Sequence, residues 1–206
     1  MLGIEYLRNL ESAVERLQAQ TPQMADAARL IVECAVRGGR FYVHDTENIV
    51  SNEVAGRTGG LMMLRELRPW NIIDLRGSKN DVVAIFMNGM DPKGERTLID
   101  EVRKRRMKVI GVFPTSSKGH PLRSSEVIID NGLVEEGGIV EVPGFKEKVG
   151  PVHAVLNSVI AMSICAEVID EFIRRGLKPS VYMSLRREGS TEYNRKISAQ
   201  FERQGY

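Results

Sequence analysis

Leu7, Leu10, Val14 and Leu17 recur at spacings of three and four, which predicts an amphipathic helix of about four turns. Thr21-Pro22 reads as N-cap and first helical position, because proline has no N–H to leave unpaired there. Met24, Ala27, Ala28, Ile31 and Ala35 carry a second helix to Gly38-Gly39. The period then changes. Phe41 to His44 is a short strand candidate, followed at once by Asp45, Thr46 and Asn48, all good helix caps. Ile49 to Gly56 predicts a helix closed by Gly59-Gly60, and 61–75 fits strand or helix equally. Asp81 to Phe86 is a continuous apolar run, the mark of a strand buried on both faces. A turn at 88–92, a charged helix over 94–106 with Leu98, Ile99 and Val102 inward, and a second buried strand over 107–113 complete a βαβ unit. Val127 to Ile129 is a further strand and Ile139 to Val142 another. A long helix spans 151–175, with Val155, Leu156, Val159, Ile160, Val168, Ile169 and Phe172 on its core side. A polar helix over 191–203 ends the chain.

The predicted class is therefore α/β, with a doubly covered parallel sheet and helices ahead of the first strand. The 206 residues suit one domain: N-terminal helices over 1–37, an α/β core over 40–175 and a C-terminal extension over 176–206. Lys and Arg number 29 against 27 Asp and Glu, a net charge of +2. That balance argues against nucleic acid as a partner, since phosphate-backbone binding shows as a large basic excess. The basic run 103–108 closes a helix, where cations favour the dipole. Cys34 and Cys165 fall inside apolar helical patterns, which predicts free thiols and a cytoplasmic setting. The most apolar stretch, 155–165, is shorter than the ~20 residues a membrane helix needs, so no membrane partner is expected.

In an open parallel sheet, ligands bind beyond the carboxyl ends of the strands. Three turns qualify: His44-Asp45-Thr46-Glu47-Asn48, then Asn88-Gly89-Met90-Asp91, then 114–120 with Thr115, Ser116, Ser117 and His120. No G-x-G-x-x-G follows a strand, no G-x-x-x-x-G-K-S/T occurs, and no Cys/His spacing suits zinc. Neither a cofactor nor a metal is expected.

The stretch from Asn52 to Leu61, with Glu53, Arg57 and Gly59-Gly60-Leu61, resembles the helix after strand one in SIS (sugar isomerase) domains. It is similar to the E-x-x-x-R-x-G-G-L of a sugar-isomerase-like bacterial subgroup and to the A-E-L-T-G-R of phosphoheptose isomerases. Other similarities follow in order: the 81–112 unit with its K-V-I-G-V strand, Val127 to Gly132 against V-V-I-D-N-G, Lys148 to Val152 opening the long helix, and the 188–195 tail against G-G-D-E-H-N-R. The resemblance covers nearly the whole chain. It implies a three-layer flavodoxin-like fold with five parallel strands, and sugar or sugar-phosphate binding in a homodimer or dimer of dimers. It also implies aldose–ketose isomerisation by proton transfer alpha to a carbonyl. On this reading Glu53 stands at the catalytic base, with His153 and His44 as further proton-transfer candidates. Asp45, Thr46, Glu47, Asn48, Arg57, Asn88, Gly89, Thr115, Ser116, Ser117 and His120 are then substrate-binding candidates.

The first two turns depart from the resemblance. SIS domains hold phosphate in a Gly- and Ser-rich first turn and an S-x-S-G second turn. Here the first carries Asp45 and Glu47, whose charge opposes a phosphate dianion, and the second reads Phe86-Met87-Asn88-Gly89. Either the phosphate sits differently or the ligand carries none. Two classes of function stay open: an isomerase, or a non-catalytic sugar-derivative sensor on the same scaffold.

Overall fold

The structure, a computed structural model, describes residues 1–68, 77–87, 92–116, 119–133 and 137–203. Five strands form one parallel sheet: β1 (Phe41–Asp45), β2 (Leu64–Glu66), β3 (Val82–Phe86), β4 (Lys108–Phe113) and β5 (Val127–Asp130). Their order is β2-β1-β3-β4-β5, the doubly wound order whose ligand crevice lies between β1 and β3. The α/β, three-layer reading holds.

Side-chain alternation divides the sheet between two cores. Phe41, Val43, Val82, Ala84, Phe86, Ile110, Val112 and Ile129 face the helical layer of α2 (Thr21–Val36), α3 (Ile49–Val54) and α5 (His153–Arg174). Tyr42, Val83, Ile85, Met87, Val109 and Phe113 face the opposite way, onto Leu98, Ile99 and Val102 of α4 (Pro92–Lys104). Every residue of β3 is buried, as its unbroken apolar run required.

Helix α1 (Leu2–Arg16) brings Tyr6, Leu10, Val14 and Leu17, just past its end, against the helical-layer core. The predicted stripe is thus largely covered by its own chain, with only Leu7 left 63% exposed. Thr21 is not the N-cap. A 3-10 turn over Leu17–Gln20 keeps the chain helical into α2, so Thr21 is the first helical residue and its hydroxyl donates back to the Gln18 carbonyl at 2.7 Å. The segment 139–142 is not a strand. It makes a single antiparallel bridge, Val140 to Val149, because the hairpin-like loop closes on itself. In the ambiguous stretch 61–75, residues 64–66 form the short edge strand β2.

The C-terminal extension lies along 59–62. Gly59 donates to the Tyr182 carbonyl, Tyr182 to that of Gly60, and Met62 to that of Ser180. The Asn194 amide, on α6 (Ser190–Arg203), then accepts from the Met183 N–H at 2.8 Å and donates to the Met183 carbonyl at 2.9 Å. Among the described residues no helix is long and apolar enough to cross a membrane.

Candidate functional site

The turn after β1 is shaped by Asp45. Its carboxylate accepts from the Val50 N–H at 2.7 Å and the Glu47 N–H at 3.3 Å, so the last strand residue caps the following helix. Asn48, predicted to cap, instead sits in the left-handed region at φ 57 with no side-chain cap bond. Asp45 has already taken the first-turn amide that Asn48 would serve. The sharp turn sends Glu47 toward the start of α5. That start is fixed by Gly150, at φ 76, where a Cβ would lie 2.7 Å from the Tyr6 ring. Shortly after it the chain enters α5 at His153.

His153 Nε2 lies 2.6 Å from Glu47 Oε2. The carboxylate can only accept, so Nε2 donates and Nδ1 is left as the acceptor of the neutral ring. Both side chains retain solvent access, 29% and 27% exposed. On sequence the two residues held different roles. Their separation of 106 positions leaves no local signal of the pair.

His44 is buried, and its Nδ1 donates to the Leu67 carbonyl at 2.8 Å. Burial lowers its pKa, against the opposing pull of the Leu67 bond and of Asp45 and Glu66. This ring is held neutral beneath the turn. Beside it Thr46 Oγ1 is enclosed without a hydrogen-bond partner. Glu66, at the end of β2, accepts from Ser51 Oγ at 3.1 Å and from Arg68 Nε at 2.6 Å.

The turn after β4 is organised by Asp130. Its carboxylate accepts from Thr115 Oγ1, from the Thr115 N–H at 3.3 Å and from the Gly132 N–H at 3.0 Å. Arg123 donates to the Thr115 carbonyl. Ser116 is exposed, whereas Asn88, Gly89 and Ser117 lie outside the described residues. His120 stacks on Phe113 with ring centroids 4.3 Å apart. Its Nδ1 accepts from the Leu122 N–H at 3.3 Å, which puts the neutral ring's proton on Nε2. That nitrogen has no hydrogen-bond partner and lies 4.0 Å from Glu95 Oε2. Burial, followed by the Arg123 charge, lowers the His120 pKa.

Glu53 follows the first turn by about one helical turn. It is on α3, half exposed, with Oε1 2.8 Å from Arg57 Nη2. It borders a groove of about 710 Å³ between α3 and α5, whose other walls include Ile49, Ala154, Val155, Ser158 and Met162. Ile49, Val155 and Met162 are all exposed there. Among the described site residues, Glu47 pairs with His153, Glu53 with Arg57 and Thr115 with Asp130, while His44, Asp45, Thr46, Asn48, Ser116 and His120 join none of these side-chain pairs. Sequence reasoning missed Asp130 and Glu95 as partners, and the buried amide pair in which Asn131 Nδ2 donates to Asn157 Oδ1 at 3.1 Å. A buried Glu95 in the first turn of α4 reads in sequence as an ordinary helix-start carboxylate. Among the described residues no group of three or more His, Cys, Asp or Glu is placed to hold a metal ion.

No family model matches the sequence. The chain is 22% identical to a UPF0309 protein of Thermoanaerobacter pseudethanolicus, over 97% of each chain. A phosphoheptose isomerase from Francisella tularensis superposes with a TM-score of 0.57 at 12% identity, covering 82% of this chain and 98% of that one. The sugar isomerase domain of an RpiR transcription factor from Sphaerobacter thermophilus gives 0.56 at 10% identity, with 98% of each chain covered. A Bacteroides fragilis protein, described as a phosphosugar isomerase involved in capsule formation, gives 0.59 at 17% identity, covering 82% of this chain and 91% of that one. At such identities the likeness is one of fold, and it is the fold that the ordered motifs implied: this chain has the fold of SIS-domain phosphosugar isomerases.

Proposed function

We propose that the chain binds a sugar or sugar derivative at the carboxyl edge of its sheet and isomerises it between aldose and ketose, with His153 moving the proton. The observation that carries this reading is the 2.6 Å contact between His153 and Glu47 at the end of β1. Nδ1 of the neutral ring takes the proton alpha to the carbonyl. The Glu47 carboxylate holds the ring in that tautomer and stabilises the imidazolium, which returns the proton to the neighbouring carbon. A separate transfer between the two sugar oxygens completes the exchange. The phosphoheptose isomerase and the Bacteroides fragilis protein share the fold, which supports the choice of substrate class.

Replacing His153 by Gln, or Glu47 by Gln, is expected to lower turnover by ~10²–10⁴, the usual worth of a positioned general base. Ligand affinity should change much less. Loss of turnover in Glu53→Gln with His153→Gln near normal would move the base to Glu53.

The second reading, a sensor without catalysis, is favoured by one observation. The residue that the resemblance makes the base, Glu53, is half exposed and tied to Arg57. A chain that binds sugars and never turns one over, wild type included, would establish it. The fold shared with a transcription factor's sugar isomerase domain suits that outcome.

The exposed apolar wall of the α3–α5 groove also supports a homodimer or larger homo-oligomer, in which a second copy covers the groove and takes water from around Glu53. Light scattering at micromolar concentration should give at least twice the chain mass, and Met162→Glu should reduce it. The two buried free cysteines fit the cytoplasm as the setting.

A further inference from the structure

We infer that the ligand of this edge is an unphosphorylated sugar. The inference rests on the sugar reading above and narrows it to a substrate class. A phosphate is an acceptor at every oxygen, so a site that holds one must present donors. At the carboxyl edge of a parallel sheet those donors are the amides and hydroxyls of the turns that follow the strands. In the turns after β1 and β4, several of these donors are engaged by carboxylates of the chain itself. After β1, the amides of Glu47 and Val50 point at Asp45, which is 7% exposed and the last residue of its strand. After β4, the amide and hydroxyl of Thr115 point at Asp130, the last residue of β5, which also accepts from the Gly132 amide beyond its own strand.

Each carboxylate occupies its turn as an internal anion. A phosphate entering either turn would have to displace a carboxylate from its hydrogen bonds or lie against its charge. Glu47 adds a second negative group at the first turn, with its Oε2 on His153 Nε2. The side chains around that turn suit hydroxyl groups. Nδ1 of His153 accepts. The Glu47 carboxylate accepts. A sugar hydroxyl matches such a pair, because it can donate to either acceptor.

The test is calorimetric titration of the full chain with arabinose, fructose and glucosamine, each against its own monophosphate ester, and with inorganic phosphate alone. The expected result is that at least one free sugar binds, that its ester binds more weakly by about tenfold or more, and that inorganic phosphate gives no saturable heat. Asp45→Asn and Glu47→Gln each remove one charge and keep an acceptor, so each should narrow the gap between sugar and ester. Glu47 is partly exposed, so that variant tests the charge even if the Asp45 variant fails to fold. An ester that binds the wild type as tightly as its parent sugar overturns the inference while leaving the sugar reading in place. Binding of none of the sugars or esters removes the sugar reading, and the inference falls with it.

Discussion

The carboxyl edge of the sheet carries two carboxylate–imidazole pairs made of the same residue types, and folding has given them different distances and different access to solvent. Glu47 and His153 come from a turn and a helix start, meet at 2.6 Å and keep more than a quarter of their side-chain surface in solvent. Glu95 and His120 are 7% exposed or less and stand 4.0 Å apart. The first pair leaves one ring nitrogen on the carboxylate and one acceptor over, the arrangement the proposed proton transfer needs. In the second, Nδ1 is committed to the Leu122 amide and one face of the ring to Phe113. What the ring does there is fill space and pin the loop after β4. Residue type alone therefore says little about proton chemistry. Distance and access decide it.

The comparison breaks most visibly if His120 is truncated. His120→Ala removes a buried ring stacked on Phe113 and leaves the Leu122 amide without its acceptor. The cavity and the lost bond together should cost ~2–4 kcal/mol of unfolding free energy, measured by urea titration. His153→Ala, at a partly exposed helix start, should cost less than ~1 kcal/mol. Equal costs at the two histidines would mean that the second pair is as accessible as the first.

A smaller effect appears in the pH dependence. Burial lowers the His120 pKa below its ordinary 6.5, and His44 moves the same way. The folded chain therefore binds fewer protons than the unfolded chain once pH falls below that value. The stability each neutral ring contributes is complete above about pH 6.5 and is lost as pH falls from there toward the folded-state pKa, by at most ~1.4 kcal/mol per pH unit for one proton. Unfolding free energies between pH 7 and 5 should decline for the wild type, and His120→Gln should flatten the decline. An unchanged slope would show that His120 titrates alike in both states.

How much of this edge could be read from the sequence follows from the range of the interactions. β3, β4 and α5 were visible because burial on both faces, or along one helical stripe, leaves a periodic record over several residues. β2 was not, since three residues at a sheet edge are too few to carry a period. The 139–142 run has strand-like composition, and only its pairing partner, Val149 in the same loop, shows that it is a single bridge. That turns follow β1 and β4 at the carboxyl edge follows from topology. Their occupants were not legible, because Asp45 and Asp130 look like ordinary turn residues until the amides around them are seen to converge. The Glu47–His153 contact is of the same kind: two unremarkable polar positions, joined only by the crossing of a β1 turn with the start of α5.

The smallest expected effect sharpens the contrast from a third carboxylate. Glu53 and Arg57 meet at 2.8 Å with side chains 51% and 54% exposed. The order Glu before Arg at a spacing of four is the favourable one on a helix. Here, however, α3 ends at Val54 and Ala55 is already extended, so the arginine reaches back from outside the helix and gains little from its dipole. In water such a pair is screened, and exposed pairs of this type contribute ~0–1 kcal/mol. Glu53→Gln should thus change the unfolding free energy of the isolated chain by no more than ~0.5 kcal/mol. The same variant also reports on the groove. If a second copy covers the α3–α5 wall, the pair loses its solvent on assembly and the missing charge should alter dimer dissociation, read by dilution light scattering, while leaving chain stability as it was. A loss above ~1.5 kcal/mol in the isolated chain itself, beyond what an exposed pair supplies, would mean that Glu53 is held by more than Arg57.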